Sequence, residues 1–134
     1  QGAFVAVGPA TGWYVEISPR GLRTGAGFYE AAGTRLASFR EAVAHERFGP
    51  ELESLVAAAV AEGFELGGER LKTSPRGFDA DHPRIELLRH KSLTLGRSHG
   101  FEPVIHTPAA LDLVRDDWRT LRPIVEWLAR HCQD

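Results

Sequence analysis

The hydrophobic period of this chain changes once, near residue 34, and no other feature constrains the fold as tightly. Ahead of that point apolar residues alternate; beyond it they recur mostly every three or four positions. Strand-type and helix-type stretches therefore fall into blocks rather than alternating, which predicts an α+β fold and argues against a doubly wound sheet. The strand block holds three runs, 3–7, 13–17 and 22–29, separated by Gly8-Pro9-Ala10-Thr11-Gly12 and Ser18-Pro19-Arg20-Gly21. Short runs joined by Gly- and Pro-rich breaks predict an antiparallel meander. In the second run Trp13, Val15 and Ile17 share one face and Tyr14 and Glu16 take the other. That places Trp13 in the core rather than beside Tyr14 on a base-stacking platform. Gly25 and Gly27, two apart, predict a bulge or a close backbone approach.

From Thr34, a candidate N-cap, Leu36, Phe39 and Val43 predict an amphipathic helix ending near Gly49. Pro50 suits the first turn of a second helix, whose stripe is Leu52, Leu55, Val56, Ala59 and Val60 and whose stop is Gly63. Gly67-Gly68 between 64–66 and 70–72 predicts a hairpin. A short helix is expected from Pro83, with Asp81 or His82 near its cap and Ile85, Leu87 and Leu88 buried. A strand follows at 92–95. Thr107-Pro108 opens a terminal helix along Leu111, Val114, Trp118, Leu121, Val125 and Leu128, which Pro123 should kink or split. The whole reads as an antiparallel sheet, the meander plus the later hairpin, packed by four or five helices.

Composition narrows the partners. In 134 residues, 16 Lys and Arg against 18 Asp and Glu give a formal charge of -2, so no whole-surface field favours nucleic acid. No apolar run approaches the length of a membrane span, which argues against a membrane partner. A single cysteine, Cys132, rules out a disulfide framework within the chain and points to a reducing, cytoplasmic setting. It has no patterned partner and is a poor candidate nucleophile.

Charge is locally reversed between Gly68 and His99, where seven basic residues face four acidic ones for a net +3, and both lysines of the chain lie there. The same stretch contains a turn-rich loop, 72–83, of the kind a rigid scaffold uses to present function. Lys72, Arg76 and Lys91 are candidate anion donors, with Asp79 or His82 as acid or base. The competing structural reading has Asp79 and Asp81 in turns or a cap, Arg76 paired with one of them, and Phe78 in the core. Asp79-x-Asp81-His82 lacks the rest of a calcium loop, so neither metal nor cofactor is expected. His45 is placed on the polar side of the first helix, and His99 and His106 in a loop. A lone histidine is more often a surface or capping residue than a ligand.

Several runs together carry a resemblance: Gly12-Trp13-Tyr14-Val15-Glu16-Ile17, Gly25-Ala26-Gly27-Phe28-Tyr29, Leu71-Lys72-x-x-Pro75-Arg76-Gly77-Phe78-Asp79-x-Asp81-His82-Pro83, Leu87-Leu88-x-x-Lys91-Ser92 and Pro123-x-x-x-Trp127-Leu128. Over nearly its whole length the chain resembles the bacterial Domain of Unknown Function 2461 family. The resemblance implies an α+β domain and supplies no reaction. Family members carry a motif of the form Arg-x-x-Arg-Asp-x-Arg-Phe-x-x-x-Asp/Asn-Lys-x-x-Tyr, which is not in this sequence, and Gln1-Gly2-Ala3 reads as the residues just after it. With no methionine anywhere, the expectation is a single domain over 1–134 forming the C-terminal part of a longer protein. Lys72, Arg76, Asp79, His82 and Lys91 would then line half of a site for a small anionic ligand. The alternative is a non-catalytic interaction module, a homodimer formed through an exposed sheet edge.

Overall fold

A computed structural model of the chain describes residues 2–8, 11–19, 21–28, 33–100 and 108–132. The expected break at Pro9-Ala10, the end of the third strand at Tyr29, His106 and the Thr107 cap lie outside the described residues. Five strands form one antiparallel sheet: β1 (Gly2–Gly8), β2 (Thr11–Ser18), β3 (Gly21–Phe28), β4 (Glu65–Gly67) and β5 (Leu93–Gly100), in the order β1-β2-β3-β5-β4. Four helices among the described residues complete the α+β architecture: α1 (Gly33–Ala44), α2 (Phe48–Ala61), α3 (Ile85–Leu88) and α4 (Ala109–His131).

The meander forms as its alternation requires. Trp13 pairs with Ala26, which pairs with Leu95, so the three share one face, and Tyr14, Gly25 and Gly96 share the other. Gly25 and Gly27 interrupt no β2–β3 pairing; they allow the close approach of β5. A Cβ at Gly27, where φ is +151°, would lie 2.1 Å from the Leu93 carbonyl oxygen.

The helix side of the sheet carries the core. Ala26, Phe28, Leu93 and Leu95 meet Phe39 and Val43 of α1, Leu52, Val56 and Ala59 of α2, Leu88 of α3 and Leu121, Ile124, Val125, Trp127 and Leu128 of α4. Phe39 sits between Phe28, centroids 5.0 Å apart, and the edge of Trp127 at 6.2 Å. The buried Trp127 indole donates from Nε1 to the Phe48 carbonyl at 3.1 Å, satisfying its polar edge and tying α4 to the start of α2.

Four sequence expectations are corrected. The first helix stops at Ala44, short of Gly49, because His45 is a capping group: its Nδ1 accepts the backbone N–H of Arg47 at 3.1 Å and faces that of Phe48 at 3.4 Å. Gly67-Gly68 does not close a hairpin with 70–72. β4 pairs with β5 across a long excursion, and Gly68 (φ +108°) turns the chain where Ser92 leaves no room for a side chain. His99 lies in β5 rather than in a loop. Finally, Pro123 does not split the terminal helix, which runs as one element from Ala109 to His131. A helix-interior proline costs about 3 kcal/mol, but five large side chains of α4 are buried, each worth about 1.5–3 kcal/mol. Burial wins, and the exposed Arg119 and Pro123 leave the unpaired carbonyl to water.

Candidate functional site

The 72–91 excursion is pinned at its neck. Leu71 N–H donates to Arg89 O at 2.8 Å, Arg89 Nε returns a bond to Leu71 O at 2.7 Å, and Lys91 N–H donates to Glu69 O at 2.7 Å. The Ser92 hydroxyl accepts the Glu69 N–H at 2.9 Å. Between these points the chain folds by successive turns, Phe78 N–H to Pro75 O, His82 N–H to Asp79 O and Ile85 N–H to His82 O. Phe78 packs against the core, as its apolar character predicts.

Arg84, which the sequence marks only as one basic residue among seven, anchors this segment to the helices. Its Nε donates to Val43 O at 2.6 Å and its Nη2 to Ala44 O at 3.1 Å, satisfying the carbonyls left open at the end of α1. It lies so close to α2 that a Cβ at Gly49 would meet Arg84 Nε at 2.3 Å and Val43 O at 2.0 Å. Buried His90 lies at the neck, its Nδ1–H donating to Ser92 O at 2.9 Å. Burial pushes this imidazole below the usual histidine range, against the Ser92 bond, which opposes the shift.

The five predicted site residues differ in their surroundings. Lys72 is exposed and borders a hollow of about 300 Å³ that Thr73, Ser74, Ile85, Glu86 and Arg89 also line. Arg76 and Asp79 are exposed and border no part of that hollow. Half-buried His82 uses Nδ1 to accept the Arg84 N–H at 3.0 Å, so it braces the start of α3. Lys91 pairs with Glu69 at 3.7 Å. Cys132 is buried, and burial pushes its thiol up to about 12, far from a reactive thiolate.

A second polar constellation is absent from the sequence reading. Asp117 on α4 is only 2% exposed, and three side chains of the sheet converge on it. Thr24 Oγ1–H donates to Oδ2 at 2.5 Å, His99 Nε2–H to Oδ2 at 2.6 Å, and Arg97 Nη2–H to Oδ1. Burial alone would push this carboxyl up. The bonds from Thr24, Arg97 and His99, with the Arg97 charge, outweigh it and hold Asp117 below the ordinary carboxylate value. Arg97 also donates to Glu62 O at 2.7 Å and lies 4.1 Å over the Phe64 ring. A carboxylate holding an imidazole by one nitrogen can orient a general base, but His99 does not line the Lys72 hollow. In this structure the quartet clamps α4 to β3 and β5.

Comparison with known proteins adds one finding. The conserved hypothetical protein family DUF2461 matches residues 3–127. The chain belongs to the DUF2461 family. No curated relative and no solved structure matches it. The matched range takes in both the 72–91 excursion and the Asp117 quartet.

Proposed function

We propose that this DUF2461 chain recognises a small anion, phosphate- or carboxylate-bearing, at the Lys72 hollow. One observation carries the reading: Lys72 has no hydrogen-bond or ion-pair partner among the described residues and, with Thr73 and Ser74, borders a hollow of about 300 Å³. Arg89 lines the same hollow but is engaged by Leu71 and Glu86, so it contributes field and shape while Lys72 supplies the free donor. Arg76, Asp79, His82 and Lys91 belong to the loop that holds this hollow in place rather than to its wall. The domain in this reading is cytoplasmic and works without metal.

Titration of isotope-labelled protein with phosphate and with citrate, followed by amide NMR, tests it. Saturable shifts should centre on Lys72, Thr73 and Ser74 and vanish in Lys72→Ala, while Arg76→Ala keeps them. Shifts that persist unchanged in Lys72→Ala overturn the assignment. A second reading, self-association, is favoured by a different observation: β1 is an edge among the described strands, and Val5 on it and Ile17 of neighbouring β2 are 48% and 54% exposed.

A further inference from the structure

A hollow of about 510 Å³ lies between α4 and the sheet, and no residue of the 72–91 excursion lines it. Among the described residues its walls include Trp13 of β2 and Arg115, Trp118, Arg119, Arg122 and Glu126 of α4, with Val125 at its base. Positions 115, 119, 122 and 126 recur at helical spacing and form a single charged row. Trp118 stands beside that row. Its ring stacks on Trp13 with centroids 5.5 Å apart and planes 29° apart, and its Nε1–H donates to the Tyr14 carbonyl at 3.3 Å. The indole is therefore held by its polar edge, and ring surface is what it offers to the hollow.

The arginines are differently held. Among the described residues each has one ion pair, on its own helix: Arg115 with Asp112 at 3.7 Å, Arg119 with Asp116 at 3.4 Å and Arg122 with Glu126 at 3.5 Å. Pairs this exposed are worth ~0–1 kcal/mol, so a guanidinium can exchange its carboxylate for a ligand anion at little cost. Asp112, Asp116 and Glu126 balance the three arginines, so an anion would be held by taking the place of these weakly bound carboxylates rather than by a standing positive field. The volume falls within the range of small-molecule sites, roughly 300–1,000 Å³. Fixed aromatic surface beside planar, positively charged guanidinium groups suits a flat conjugated ring bearing an anionic group.

We infer that this hollow binds a small planar aromatic anion, its ring against the Trp13–Trp118 pair and its phosphate or carboxylate on the row Arg115, Arg119 and Arg122. The site is separate from the Lys72 hollow and stands whether or not that one binds.

Isothermal titration with adenosine 5′-monophosphate and with 2-naphthoate tests it, with adenosine and inorganic phosphate as half-ligands. At least one of the two anions should bind saturably in the millimolar range or tighter, with each half-ligand at least roughly tenfold weaker. Binding of the nucleotide alone assigns a phosphate ligand and of the naphthoate alone a carboxylate. Trp118→Leu should weaken it. So should the exposed pair Arg119→Glu and Arg122→Glu, which keeps the fold testable by an unchanged circular dichroism melt, and Lys72→Ala should leave it intact. Failure of both anions to bind, inorganic phosphate binding as tightly as the nucleotide, or full binding by the folded double arginine variant each overturns the proposal.

Discussion

Truncating Asp117 would leave Thr24, Arg97 and His99 facing a gap with no acceptor. Because unpaired buried donors cost more than their bonds had contributed, Asp117→Ala should destabilise the domain by about 2–4 kcal/mol. Denaturant melts check this, with Asp116→Ala one residue away as the contrast. The Asp116 side chain is 68% exposed, and its loss should change stability by no more than about 0.5 kcal/mol. Buried His90 and Asp117 also shape the pH response. His90 is held neutral, its folded pKa below the ordinary 6.5, so its contribution is complete above that pH and is lost as pH falls through 6.5 toward the folded value. Asp117 is depressed from an ordinary 3.8, so its contribution persists until pH falls below that value and is lost toward the folded one. Stability measured against pH should therefore fall in two separate windows, and His90→Gln should shrink the upper one, leaving the share of His131, whose imidazole burial also holds below the ordinary 6.5. A single acid transition near pH 4 in the parent protein would contradict the His90 assignment.

Among the elements, those whose signals are local were legible. The meander follows from alternation and its Gly and Pro breaks, and α2 starts and stops where Pro50 and Gly63 place it. The partner of β4 was not legible, because three residues, Glu65–Gly67, carry no mark of a strand that begins 26 positions after they end. The candidate site divides the same way. The basic loop was visible as a charge reversal, but its division into an exposed Lys72, a bracing His82 and a paired Lys91 depends on contacts that no spacing encodes. Asp117 left one trace: it sits four residues before Leu121 on the apolar face of α4, where a carboxylate is out of place. Its partner Thr24 lies 93 positions away. Within α4, Pro123 is held in a helix by its neighbours' burial alone. Pro123→Ala restores a backbone donor at an exposed position and should stabilise the domain by about 1–3 kcal/mol, read as a raised thermal midpoint.

For the whole molecule, β1 lies at one end of the described sheet while α4 packs mostly over β3 and β2. Trp13 is only half-buried, and Val5, its partner in β1, and Ile17 further along β2 remain about half exposed. An edge strand offers unpaired backbone groups to another chain, and flanking apolar side chains add the burial that makes strand addition favourable. Self-association through β1 would continue the sheet and cover Val5 and Ile17 together. Lysine at both positions places charge where a second copy would dock, with little cost to a monomer in which both sites face water. The Val5→Lys, Ile17→Lys variant should therefore sediment as a monomer with an unchanged melt, while the parent chain sediments as a dimer whose population rises with concentration. A parent chain that is monomeric throughout would remove the assembly reading and leave ligand binding by the single copy as the role of the exposed sheet and α4.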